Sequence, residues 1–216
     1  MYQIIIIHFE GFIYAIHFSL QELSILQDLG DVQGECKAHG NLGAVHLSLS
    51  NYINSVKCYT EQLERAREVR DPSLEAGALG NLGVAKLNLG RHEEAIACLD
   101  QQLKCLDQVS TLSGNSSGHT NSETPPVPIS SVSGTLLNST ELERSRAFGN
   151  LGSCYEAIGD FAKAAQYYEQ YLALSLKTKN VKDQDRAYRD LGSANKKLGN
   201  LQQALVCLLS FIYYLL

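Results

Sequence analysis

The chain has 216 residues, 44% of them hydrophobic and 19% charged, with a formal net charge of -5. That length supports a continuous core, and the shortage of Lys and Arg argues against a nucleic-acid backbone as main partner, because phosphate binding needs clustered cations. The six cysteines form no Cys-x-x-Cys and no Cys/His pair at ligand spacing, so no metal and no cofactor are expected.

In chain order, Met1 to Glu10 is apolar but lacks the basic start and small-residue cleavage site of a secretory signal, and reads as a short N-terminal extension. A helix is predicted over 12–28, with Phe12 forty residues before Tyr52 and Ala15 forty before Ser55. Asp31 stands where a side chain can accept from the free amides of a helix over 32–48. Around it Leu42, Val45, Leu47 and Leu49 return at helical intervals. A turn at Ser50-Asn51 leads to a helix over 52–69, and Asp71-Pro72 opens one over 73–88, since Pro suits a first turn and obstructs an interior one. Gly90-Arg91 precedes a helix over 92–107.

From Ser110 to Ser139 the composition shifts to Ser, Thr, Gly, Asn and Pro with almost no charge. Such a segment buries too little apolar surface to order itself, so 108–139 is expected to be a flexible insertion. Thr124-Pro125, the Pro125 to Pro128 pattern and the acceptor triplets at Asn115 and Asn138 are minimal signals, for which chance composition is the favoured explanation. Thr140 with Glu143 has the spacing of a capping box for a helix over 141–157. Helices over 161–178, 182–197 and 201–214 follow, punctuated by turns at Gly159-Asp160 and Gly199-Asn200.

The tetrad Gly40-Asn41-Leu42-Gly43 recurs as Gly80-Asn81-Leu82-Gly83, as Gly149-Asn150-Leu151-Gly152 and, weakened, as Arg189-Asp190-Leu191-Gly192, at separations of 40, 69 and 40 residues. The chain is therefore an array of one helical hairpin with a single insertion. Two helix-interior glycines cost about 1 kcal/mol each relative to Ala. Their spacing places them on nearly one face, so close approach of a neighbouring helix is the expected compensation. Cys58, Cys98 and Cys207 share one repeat position, as small apolar residues packed on a helix would.

Leu42, Gly43, Tyr52 and Tyr59; Leu82, Gly83, Gly90, Ala95 and Leu99; and Leu151, Gly152, Tyr155, Gly159, Phe161, Ala164 and Tyr168 together resemble the tetratricopeptide pattern, with a fourth copy in Leu191, Gly192, Gly199, Ala204 and Leu208. The unit of 40 rather than 34 residues is similar to the longer variant with a Gly-Asn-Leu-Gly signature found in G-protein-signalling modulators. The strings Ala38 to Asp71 and Gly149 to Ser175 are similar to a large multi-repeat member, which this chain would represent in part. The resemblance implies an all-α fold, a tetratricopeptide-type helical-hairpin superhelix or α-solenoid. Its divisions would be an extension at 1–10, a half repeat plus two repeats at 11–107, the insertion at 108–139, and two repeats with an apolar C-terminal end at 140–216.

Stacked hairpins leave a concave groove that holds a peptide or helix. The resemblance implies that Asn41, Asn81 and Asn150 face it, each amide able to donate and accept. In the preceding turn Lys37, Arg146 and Arg186 share a register, and Arg189 adds charge to the last unit, so an acidic protein or peptide ligand is expected. Glu156 and Asp190 interrupt that stripe, and a solvated helix face explains it equally well. The chaperone-tail carboxylate clamp is not supported, since Gly40 and Ala44 occupy its Lys and Asn positions.

No nucleophile, base and orienting group can be placed in one pocket, so a non-catalytic scaffold is predicted, cytoplasmic and, by resemblance, serving cell-division or cytoskeletal assembly. Leu201 to Leu216 is apolar around most of its circumference. It is too short to span a membrane, which takes about 20 residues. Self-association or peripheral membrane contact through that helix is the alternative role.

Overall fold

The computed structural model describes the backbone of residues 2–115 and 130–215, with side chains over 11–111 and 139–212. Among the described residues there are nine helices and no strand: α1 (Tyr2–Leu29), α2 (Val32–Ser48), α3 (Tyr52–Val69), α4 (Pro72–Asn88), α5 (His92–Asn115), α6 (Ser130–Ala157), α7 (Phe161–Lys177), α8 (Val181–Lys197) and α9 (Leu201–Leu215).

Short polar residues start these helices. Asp31, Asn51, Asp160 and Asn180 each accept a hydrogen bond from the amide three residues on, at Gly34, Asn54, Lys163 and Asp183. Asp71 accepts from the Ser73 amide with Pro72 opening the helix. Each cap satisfies an amide that the helix itself leaves without a partner. The turns between helices place one residue at positive φ: Gly30, Gly90, Gly159 and Gly199, but also Ser50, Arg70 and Lys179. The last three adopt the left-handed conformation despite carrying a Cβ.

Two compact units divide the chain, residues 1–105 and 106–216. In the first, α2 packs on α1 and α3, α3 packs on α4, and α2 touches α4. Its core joins Cys36, Tyr59, Leu63 and Ala66 to Ala78, Leu79, Leu82, Ala85 and Cys98. In the second, α7 lies against α6 and α8, α8 against α9, and α6 touches α8. There Ala164, Ala165, Tyr168 and Tyr171 meet Ala187, Leu191, Ala194 and Cys207.

The glycine pairs show why the tetrad tolerates its poor helix formers. A Cβ at Gly43 would lie 2.5 Å from the Tyr59 ring, one at Gly83 2.9 Å from Leu99, and one at Gly152 2.5 Å from Tyr168. A Cβ at Gly40 or Gly80 would lie 2.6 or 2.5 Å from Gln62 or Gln102. In the first three hairpins the second helix thus lays a large side chain into the notch left by each glycine, the close packing expected from the sequence, whereas at Gly192 the nearest atom to a Cβ would be Cys207 at 3.5 Å. The cysteines pack as expected too: all six are free, four are buried, and Cys58 and Cys105 are half-buried. Burial raises their pKa values, that of Cys154 to about 12.

α1 begins at Tyr2 and runs unbroken to Leu29, taking in the apolar start. Two sequence expectations need correction. The helix predicted to end at 107 continues to Asn115, and the one predicted to begin at 141 begins at Ser130. Thr140 is therefore not an N-cap but a buried residue inside α6, and the capping-box reading with Glu143 fails. The physical reason is cooperativity: once a packed helix exists, each further residue costs only its own propensity, and Ser and Thr are indifferent rather than prohibitive. Thr124-Pro125 and the Pro125 to Pro128 pattern lie outside the described residues, as do the side chains of Asn115 and Asn138.

Candidate binding face of the first helices

The tetrads fall on α2, α4, α6 and α8, the first helix of each hairpin. Their central Leu residues, Leu42, Leu82, Leu151 and Leu191, are buried, and the preceding tetrad residue is more exposed in each. Asn41 is exposed, while Asn81 and Asn150 are half-buried. None of the three lies in the core.

In the first unit Lys37 and Asn41 lie on α2 and Asn81 on α4, two helices that touch. Lys37 is exposed. The Asn81 amide nitrogen donates to Gln62 Oε1 at 3.1 Å. Gln62 also fills the Gly40 notch, so one glutamine both packs the hairpin and orients the asparagine of the next repeat. This positioning role is absent from the sequence reading. Its signal was present: Gln62 and Gln102 each stand 22 residues after the first tetrad glycine.

In the second unit Arg146 and Asn150 lie on α6 and Arg186 and Arg189 on α8, two helices that touch. Arg146 is exposed. Arg186 pairs with Asp190 at 3.2 Å and lies 6.0 Å over the Tyr171 ring, and Arg189 pairs with Asp185 at 3.6 Å. Much of the cationic charge predicted there is thus matched by carboxylates on the same helix. Burial raises the Asp190 pKa, and the attraction of Arg186 only partly offsets it.

A polar cluster that the sequence reading treated as an interruption ties three helices. Glu156 accepts from Lys197 Nζ at 2.8 Å, from Ser193 at 3.2 Å and from the Tyr168 hydroxyl at 2.8 Å. Burial opposes the Glu156 charge, but these donors outweigh it and hold the carboxyl below the usual range. Burial pushes the Tyr168 phenol up. Nearby, Tyr155 and Tyr167 stack with centroids 5.3 Å apart, and Lys163 sits 5.0 Å over Tyr155. Among the described residues no group of three or more His, Cys, Asp or Glu side chains is arranged to hold a metal ion.

Family profiles described as tetratricopeptide repeat match residues 34–108 and 147–182, together just over half of the chain. The chain belongs to the tetratricopeptide repeat family. Its fold is the all-α, paired-helix architecture of that family, with a period of 40 residues rather than 34. A putative kinesin light chain of Podosopora anserina with nearly identical TPR-like repeats shares 16% identity at a TM-score of 0.66, over 96% of this chain and 88% of that one. A Rap protein complexed with Competence and Sporulation Factor shares 14% at 0.69, over 96% of this chain and 50% of that one. MamA shares 16% at 0.53, over 93% and 91%. At such identities these likenesses speak for the tetratricopeptide fold alone. No curated protein matches the sequence.

Proposed function

We propose that this tetratricopeptide repeat protein is a non-catalytic scaffold that binds a protein segment, an extended peptide or a helix, on the exposed faces of the first helices within each unit. The observation that carries this reading is the placement of the tetrad asparagines. Each follows a glycine packed under the second helix, yet Asn41 is exposed and Asn81 and Asn150 are half-buried. A side-chain amide that is held by the fold but reachable from outside can pair with a partner's backbone groups at little ordering cost. Asn81 is the best prepared, because its amide nitrogen is held by Gln62.

Lys37, Arg146, Arg186 and Arg189 give the face its preference for acidic segments, with Lys37 and Arg146 the more available because Arg186 and Arg189 have carboxylate partners. A role in cell-division or cytoskeletal assembly and a cytoplasmic setting belong to this proposal. Among the described residues no helix is long and apolar enough to cross a membrane.

Selection from a displayed peptide library tests the proposal. Enriched peptides should be rich in Asp and Glu, bind more weakly as salt rises, and lose affinity for Asn41→Ala/Asn81→Ala/Asn150→Ala. Selected peptides that bind this variant as well as the parent would remove the asparagine face from consideration. A second reading, association through α9, is favoured by the exposure of Leu201, Leu205, Val206, Leu208, Leu209 and Ile212.

A further inference from the structure

One turn before the tetrad asparagine, or the Asp190 that replaces it, each first helix but one carries a long cation: Lys37 on α2, Arg146 on α6 and Arg186 on α8. On α4 that position is Gly77. To either side along the same face α4 has Leu74 and Val84, where α6 has Glu143 and Ser153 and α8 has Asp183 and Ser193. The stripe Leu74, Gly77, Asn81 and Val84 therefore bears no charge, and all four residues are half-buried.

Nothing inside the fold accounts for Gly77. It lies within α4, where glycine is among the poorest helix formers. Among the described residues the glycines at positive φ all stand in the turns between helices, so the backbone does not call for it. Packing does not call for it either. A Cβ at Gly77 would meet nothing within 4 Å, whereas one at Gly80 or Gly83 of the same helix would lie 2.5 or 2.9 Å from Gln102 or Leu99. The missing side chain leaves bare helix backbone beside Leu74 and Asn81, the circumstance in which glycine admits close approach from outside.

We infer that Gly77 is a specificity-determining residue of the first unit's binding face: it seats a large apolar side chain of an extended partner segment on α4 beside Leu74, while an acidic residue of that segment meets the exposed Lys37 of α2. This rests on the asparagine-face reading above and names the partner it selects. The segment is extended because an extended chain leaves backbone N–H and C=O groups for Asn41 and Asn81 to pair with, whereas those of a helix interior are already satisfied. α2 and α4 touch, and packed helix axes lie about 8–10 Å apart, which an extended chain covers in about three residues. The acidic and apolar residues of the partner are spaced accordingly.

The test selects displayed random peptides on the full chain, on Gly77→Arg and on Asn41→Ala/Asn81→Ala/Asn150→Ala, and measures enriched peptides as fluorescein conjugates by anisotropy. Peptides enriched on the parent should carry Leu, Phe, Tyr or Trp about three positions from an Asp or Glu. Their affinity should fall about tenfold or more when that apolar residue becomes Ala, and as much against Gly77→Arg. The peptide substitution is read on the parent protein and does not depend on how the variant folds. Selection on Gly77→Arg should replace the apolar residue with Asp or Glu, the preference of a cation in the register of Arg146. Equal affinity for parent and Gly77→Arg, or the same apolar residue enriched on both, overturns the inference. If the asparagine variant still loses affinity in that case, the reading of the binding face stands without it. Peptides indifferent to both variants, or no saturable binding up to about 1 mM, end both.

Discussion

Replacing a tetrad glycine by alanine should have opposite effects at equivalent positions. In helix propensity alone, Gly→Ala within a helix gains about 0.8–1.0 kcal/mol. At Gly192 the added Cβ meets only ordinary contact at 3.5 Å, and at Gly77 in α4 nothing lies within 4 Å, so both substitutions should stabilise by about 0.5–1 kcal/mol. At Gly152 the Cβ falls 2.5 and 2.6 Å from two atoms of the Tyr168 ring. That ring is almost wholly buried and its hydroxyl is held by Glu156, so it has little freedom to retreat. Reaching an ordinary carbon–carbon distance requires a shift of about 1 Å, and overpacking of this kind costs about 1–3 kcal/mol. Gly152→Ala should therefore end between neutral and about 2 kcal/mol destabilising. Urea denaturation followed by helical circular dichroism would separate Gly152→Ala from Gly192→Ala by midpoint at constant slope. In thermal melts each kcal/mol corresponds to about 2–4 °C for a chain of this size. Gly152→Ala as stabilising as Gly192→Ala would refute the claim that the tetrad glycines exist to admit the second helix.

Ser50, Arg70 and Lys179 hold left-handed backbones at φ 56, 58 and 55, so replacing any of them with Gly should raise stability by about 1 kcal/mol, whereas Gly90→Ala or Gly159→Ala should lower it by a similar amount; thermal melts of the single variants decide. Glu156 has its pKa lowered in the fold, so its contribution is present above the ordinary carboxylate value of 4.5 and is lost as pH falls through the lower, folded value. Glu156→Gln should cost about 1.5–3 kcal/mol at pH 7, the range for hydrogen bonds to a charged group, and should flatten the acid limb of the stability–pH curve. An unchanged limb would show that Lys197, Tyr168 and Ser193 do not act through the charge. In thiol titration of the native protein Cys58 and Cys105 should react first, and Cys154, with its pKa pushed to about 12, only on unfolding. Mass spectrometry of the labelled peptides would report the order.

The repeat determined a great deal before any contact was known. Four copies of one tetrad, with Asp31, Asp71-Pro72 and the Gly-Asp and Gly-Asn turns between them, give the helical hairpins and the ends that those turns set, because capping and left-handed turns depend on residues within a few positions of each other. The tertiary structure alone decided what those local signals do at a distance. Thr140 and Glu143 have the spacing of a cap, yet α6 runs through them, because a helix already anchored by packing extends at small cost. Gln62 became the residue that orients Asn81, and Glu156 became a tie between helices rather than a gap in a basic stripe. Tyr168 at 1% exposure fills the Gly152 notch, while Leu208 at the same repeat position is 53% exposed beside the slack Gly192 notch. Sequence period fixes which face a side chain occupies, but burial and pairing are properties of the neighbour, and only the packed helices supply it.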